Sequence, residues 1–258
     1  MMVPQVEMNR QKIKDRLRKH RRLFNFVRWA VYSARGAYGR LHGALLTGKR
    51  WREYRAAYAI RKLHVGCGDL LLPGWFNTDA FPRGHDIAYV NATGRFPFGD
   101  GTFHYVFTEH MIEHVPVDVA INMLKECHRV LIPGGKIRIS TPDLKKILAL
   151  DRPELSGLEK DYLDHALTQV PHRVSDHPAY VINLIMRAWG HTFIYDHATL
   201  SDLLRHAGFQ EITAHTPKVS DDPELRELEH HGATLPCEEF NLVESMVVEA
   251  IKPDGQNH

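Results

Sequence analysis

The chain has 258 residues, 43% of them hydrophobic and 25% charged, which is ordinary for a folded protein of one or two domains and excludes a disordered or collagen-like chain. No apolar run approaches about eighteen residues, so no transmembrane helix is expected, and the charge-dense N-terminus does not read as a secretory signal. The net charge of +2 hides an asymmetry: residues 1–62 hold 17 Lys and Arg against three acids (+14), and the remainder holds 16 against 28 (−12).

A basic arm over residues 1–60 therefore precedes an acidic body. In it Ile13, Leu17, His20, Phe24, Val27, Val31, Ala34, Tyr38 and Leu41 recur at steps of four and three. That spacing predicts one apolar stripe of an amphipathic helix, and Lys12, Lys14, Arg18, Arg21, Arg22 and Arg28 lie off it. Packing on the body or on a second copy is the simpler expectation. Peripheral contact with an anionic membrane is the sharper one. Nucleic acid is not expected, because no module signature accompanies the charge. Cys67, Cys127 and Cys237 are far apart and form no CxxC or zinc spacing. A reducing cytoplasmic setting is the simplest, with the inner membrane face as the arm's candidate surface.

From residue 61 short apolar runs alternate with helical stretches. Arg61–Val65 and Trp75–Asp79 read as strands separated by a loop. His104–Thr108 is a third, followed by a helix from Pro116 to Val130 and a stop at Pro133-Gly134-Gly135. Lys136–Ser140 alternates as a strand, 144–190 reads as helical, and Asp196–His206 is a helix closed by Ala207-Gly208-Phe209. Gln210–Thr216 and Ser245–Ile251 are the last strands. The alternation predicts an α/β fold, a largely parallel sheet with helices on both faces.

The first strand runs into Val65-Gly66-Cys67-Gly68-Asp69, and Asp79 ends the second, thirteen residues after Gly66. Glycines at that edge let a ligand lie against bare backbone amides, and a strand-ending carboxylate can grip both hydroxyls of a ribose. Asn91 offers a side-chain amide to an adenine edge, with the Ala92 N–H beside it. Phe96-Pro97-Phe98 and Asp100 then precede Phe103-His104-Tyr105-Val106. Glu109-His110, Glu113-His114 and Arg129-Val130-Leu131 with Pro133-Gly134-Gly135-Lys136 follow in order.

This ordered set resembles the class I S-adenosylmethionine-dependent methyltransferases of the methyltransferase type 11 kind, over residues 61–143 with a weaker echo over 192–251. The resemblance implies a Rossmann-like, seven-stranded, mostly parallel sheet and S-adenosyl-L-methionine as cofactor. It implies cofactor contacts at Gly66, Cys67, Gly68, Asp79, Ala80, Asn91, Ala92 and Glu109. The body, 61–258, is then the methyltransferase domain, and 144–190 its acceptor-side lid. The chain departs from the family at His64, where an acid is common, and at Leu70, where a third glycine is common. It departs again at Asp69–Gly74, too short for the usual first helix.

Methyl transfer to oxygen needs a positioned nucleophile and a base. His110, oriented by Glu109 or Glu113, is the expected catalytic base, whereas Glu113 and His114 are expected to be structural. His191 and His197 face the acceptor or hold a metal with Asp196, or else occupy a surface loop, and no metal is assigned. Arg173 and Arg187 suit an anionic acceptor only as a secondary reading. The relatives' pathways favour a small-molecule, sugar or glycan acceptor, and the basic arm favours a lipid-linked one. The alternatives are a non-catalytic binding module and a nucleotide-sugar-dependent enzyme. Against the last, Tyr89, Tyr105, Tyr162, Tyr180 and Tyr195 all lack a Lys four residues on.

Overall fold

The computed structural model describes Leu41 and residues 43–255. The stripe expected over 13–41 lies outside the described residues except for Leu41, which is helical and exposed. Seven strands form one sheet: β1 Lys62–Val65, β2 Phe76–Asp79, β3 Ala88–Tyr89, β4 Phe103–Glu109, β5 Leu131–Pro142, β6 Gln210–His215 and β7 Ser245–Ile251. Their order is β3-β2-β1-β4-β5-β7-β6. β1 pairs parallel with both β2 and β4, and β7 alone runs antiparallel between β5 and β6. The central strands are largely buried, as strands covered on both faces are. β3 has only two residues, below what an alternation pattern can reveal.

Period two sends successive residues of β4 to opposite sides. Val106 joins the larger core, with α2 (Val117–Val130) and α6 (His197–His206), while Phe107 joins a smaller cluster with Leu72, Trp75, Leu225 and Leu228. α1 (Gly48–Ala57) also covers the larger-core side, although it lies before the expected boundary at residue 61. Its Trp51 ring packs against Phe76, Phe98 and Phe103 at centroid distances of 5.1–5.4 Å. The Tyr54 hydroxyl donates to the carbonyls of Lys62 and Gly74 at 3.0 Å.

Between β1 and β2 the chain makes only turns, because Asp69–Gly74 leaves no room for a helix. That flank is closed by the segment 217–230, held by a buried charge network. Arg138 of β5, fully buried, donates to Glu229 at 2.6 and 2.9 Å, to Glu249, and to the Val219 carbonyl at 3.0 Å. The stretch 144–190 holds α3 (Leu144–Ala149), α4 (Gly157–Thr168) and α5 (Ala179–Arg187). With α7 (Phe240–Glu244) they enclose a separate core around Ile147, Tyr162, Val181 and Phe240, beside the carboxyl ends of the strands.

Candidate cofactor and acceptor cavities

The glycine bend forms where β1 ends. Gly66 and Gly68 have φ of +70° and +56°, the region that favours glycine. A Cβ on Gly66 would stand 2.4 Å from Met111 Cγ, whereas one on Gly68 would meet nothing within 4 Å. The first glycine is thus demanded by packing, and the second opens onto free space. The Gly68 N–H donates to Asp79 Oδ2 at 3.0 Å and the Phe81 N–H to Oδ1 at 2.6 Å. The carboxylate is therefore aimed at the bend and retains lone pairs for a further donor. Ala80 follows it, half-buried. Burial and the neighbouring Asp79 push the Cys67 thiol up to about 12, which removes it as a nucleophile.

A cavity of about 480 Å³ opens beside this bend, lined by His64, Gly66, Cys67, Gly68, Leu70, Glu109, His110, His230 and His231 among others. Its size suits a nucleoside-bearing cofactor. His64 is fully covered, with Nδ1 3.1 Å from Asn77 Oδ1. Burial lowers its pKa to about 4, so the ring is neutral. Asn91 and Ala92 lie apart from this cavity. Asn91 Oδ1 accepts from the Thr93 N–H and hydroxyl at 3.1 and 2.8 Å, and its residue borders a shallow hollow with Tyr89 and Thr47. Ala92 packs against the larger core. The structure therefore joins Gly66, Cys67, Gly68, Asp79, Glu109 and His110, and leaves the Asn91 side chain in a local turn.

Of the two carboxylates expected to orient His110, Glu109 does not reach it. The Glu109 carboxylate accepts the backbone N–H of His230 (3.1 Å to each oxygen) and of His231 (2.9 Å), pinning that turn over the bend. Glu113 faces His110 instead, with Oε1 3.3 Å from Nδ1. Burial alone pulls the His110 imidazolium down, but the Glu113 carboxylate outweighs it, and its pKa lies above the ordinary value. His110 Nε2 stands 3.0 Å from Ser245 Oγ. Both ring nitrogens are thus engaged, on a backbone held at φ +46°. This is a poor arrangement for a base and a good one for a fixed wall.

Sequence reading missed the neighbouring histidine. His231 stacks on His110 with centroids 3.8 Å apart. Its Nε2 lies 2.6 Å from Glu244 Oε1, and the Tyr162 hydroxyl donates to Glu244 Oε2 at 2.5 Å. Burial works to raise the Glu244 pKa, but His231 and Tyr162 outweigh it and hold it below the usual carboxylate range. Ionised Glu244 can only accept, so Nε2 carries a proton, and in the neutral ring Nδ1 holds the lone pair. No described residue hydrogen-bonds that Nδ1. The signal available in the sequence was the pair His230-His231 after Glu229, in a stretch with no apolar periodicity.

A second cavity of about 460 Å³ lies across this wall, lined by His110, His114, Tyr162, His165, Leu184, Trp189, His191, His231, Leu235 and Glu244 among others. His110, His231 and Thr234 border both cavities. His191 reaches the second cavity. Asp196 does not join it there: its carboxylate caps α6 through the Thr199 N–H at 2.8 Å and pairs with Lys145 at 3.5 Å. Arg173 is spent on Asp176 and the Leu167 carbonyl. Tyr58 and Lys62 do have the Tyr-x-x-x-Lys spacing. Lys62 nevertheless opens β1 at the edge away from the bend and pairs with Glu224 at 2.9 Å.

Residues 74–139 match the model of the methyltransferase domain family. They run from the turn before β2 into β5, through the strand-ending carboxylate and the two histidine motifs, within a sheet of the order given above. Residues 74–139 thus carry the likeness to a methyltransferase domain. No curated protein matches the chain. Among solved structures it is similar to an S-adenosylmethionine-dependent methyltransferase from Mesorhizobium loti, 17% identical over 78% of this chain and 96% of that one, with a TM-score of 0.44. It is also similar to a methyltransferase from Thermotoga maritima, 17% identical over 88% and 98%, with a TM-score of 0.44. A third is phosphoethanolamine N-methyltransferase 2 of Haemonchus contortus in complex with S-adenosyl-L-methionine, 14% identical with a TM-score of 0.41. The match covers 79% of this chain and about half (53%) of that one. S-adenosylmethionine is the cofactor of the methyltransferase domain. The open cradle at Gly68 and the carboxylate of Asp79 fit its ribose.

Proposed function

We propose that the protein methylates a hydroxyl of a small or medium acceptor, of the sugar or glycan type or its lipid-linked form, at the junction of the two cavities. The observation that carries this reading is the shared wall, in which His231 presents a carboxylate-oriented ring with an unengaged Nδ1. When bound, the cofactor supplies a methyl carbon made electrophilic by its sulfonium. His231 Nδ1 takes the proton of an acceptor hydroxyl, and Glu244 stabilises the imidazolium that results. His110, pinned by Glu113 and Ser245, fixes the His231 plane by stacking. The walls supplied by Leu184, Trp189, Tyr162 and Leu235 suit the apolar face of a sugar ring, and they exclude water from the reacting groups.

The experiment has two arms. Calorimetry of the full chain against S-adenosylhomocysteine, NAD and a nucleoside diphosphate sugar is expected to show saturable binding of the first alone. Turnover of S-adenosylmethionine with a panel of sugar and glycan hydroxyls is then compared with His231→Gln, expected to lower kcat by about 10²–10⁴-fold while S-adenosylhomocysteine affinity holds. Binding without turnover on any acceptor supports the binding-module alternative. Preference for the nucleotide sugar sinks the methyl-transfer reading, and unchanged kcat in the variant removes His231 as base.

The arm extends the proposal to location. Residues 1–40 carry eleven Lys and Arg against Glu7 and Asp15, a charge that favours the anionic cytoplasmic face of a membrane. Among the described residues no helix is long and apolar enough to cross one. A peripheral enzyme held there would meet a lipid-linked acceptor at raised local concentration.

A further inference from the structure

The floor of the acceptor cavity holds a second constellation that the wall does not use. Glu113 is completely buried; its Oε2 accepts from the Thr141 hydroxyl at 3.0 Å, but its Oε1 has no hydrogen bond. His110 Nδ1 faces it at 3.3 Å, as the ion pair described above. His114 Nε2 stands 4.0 Å from the same oxygen. His191 is the third member, and ligand-capable atoms of Glu113, His114 and His191 all lie within 4.8 Å of one another.

Two features separate this trio from a chance cluster. His191 Nδ1 lies 2.5 Å from the Ile185 carbonyl. A carbonyl can only accept, so Nδ1 holds the proton and Nε2 holds a lone pair. That is the tautomer and the outer hydrogen bond of a metal-ligating histidine. Second, the loop bearing His191 is tied to Glu113 itself: the Glu113 carbonyl accepts from Thr192 N–H at 2.8 Å, Phe193 N–H at 3.3 Å and Thr192 Oγ1 at 3.1 Å. The three ligands are therefore held at fixed separation. The His114 and His191 rings lie edge to face, with centroids 4.8 Å apart at 70°. The other histidine–carboxylate trio, His110, His231 and Glu244, differs. Of its ring nitrogens, His231 Nε2 is already taken by Glu244, and the His110 pair by Glu113 and Ser245.

We infer that Glu113, His114 and His191 bind one divalent first-row transition-metal ion at the floor of the acceptor cavity. Two histidines and one carboxylate leave coordination positions open toward the cavity, as in catalytic sites of this donor set. On the reading of that cavity as the acceptor site, the ion orients an acceptor hydroxyl and lowers its pKa, easing proton transfer to His231. The inferred role rests on that reading; the binding site does not.

The test uses the full chain, stripped with a chelator and titrated with Co²⁺ in the absence of cofactor and acceptor. Visible absorption and metal analysis read the complex. The expected result is one Co²⁺ per chain, a ligand-field band, and a rise in Tm with metal concentration. His191→Ala and His114→Ala each weaken binding at least 100-fold with cooperative unfolding retained, whereas His165→Ala, in the same cavity, leaves it unchanged. Equal Co²⁺ binding by wild type and the His114→Ala/His191→Ala pair, or no saturable site, overturns the inference. Because no methyl donor is present, that outcome leaves the methyl-transfer reading standing.

Discussion

His64 shows how a single buried side chain sets a solution property. Its ordinary pKa is 6.5, and burial lowers it to about 4 in the folded chain. The unfolded chain therefore binds a proton below about pH 6.5 while the folded one does not until near pH 4. Stability is complete above that window and falls as pH drops through it, by about 3 kcal/mol from this residue. Urea unfolding of wild type and His64→Gln across pH 4–7 is expected to show that slope in the first and its loss in the second. A shared slope would assign the effect to another group. Asp79 makes the complementary prediction for binding. Among the described residues its carboxylate accepts two amides, and a ribose diol would supply further donors. Asp79→Ala is expected to weaken S-adenosylhomocysteine affinity by more than tenfold in calorimetry. Unchanged affinity would take Asp79 out of the site.

At the scale of elements, the segment 217–234 is shaped by charges far away in sequence. Glu229 binds Arg138 through both oxygens and also accepts the Lys218 N–H at 2.5 Å. One residue further on, Glu109 captures the amides of His230 and His231. The strand ends thus hold the turn that supplies the proposed base. Breaking a buried ion pair leaves an uncompensated charge, so Glu229→Gln is expected to cost about 3–5 kcal/mol in urea unfolding. Adding Arg138→Met should cost less than the sum of the two single losses, because both changes remove the same Arg138–Glu229 contact. Additive losses would mean that the pair is not coupled. α1 illustrates the reverse direction of influence. Trp51 and Tyr54 fill the flank beside β1 and β2 from the N-terminal side.

At the scale of the whole molecule, the charge is divided between a basic N-terminal stretch and an acidic body. The described body is closed by its own sheet and cores, while the excess of Lys and Arg before residue 41 has only two acids among it. A full chain is expected to co-sediment with vesicles rich in anionic lipid and to be released by salt, because the attraction is screened. A variant lacking residues 1–40 should stay in solution while keeping α1 and its fold. Equal retention of both proteins would assign the charge to another partner.

Much of the frame was legible in the sequence for a local reason. β1, β2, β4, α2, β5 and α6 each carry their own signal within ten to fifteen residues: alternation, an amphipathic stripe, a glycine or proline stop. The bend at Gly66-Cys67-Gly68 and the carboxylate at Asp79 were readable because strand ends place them at one edge of a parallel sheet. β3 escaped because two residues hold no period. The stretch 217–244 escaped because its meaning lies in contacts made across the fold. Arg138 to Glu229 spans 91 residues, and Glu109 to His230 spans 121. Sequence by itself determined the order of the elements, the glycine bend and the charged arm, since each rests on short-range sterics or on composition. Only the tertiary structure decided which histidine has a free nitrogen and which carboxylate faces which ring. Those choices follow from burial and from donors brought together by folding, and neither is a property of neighbouring residues.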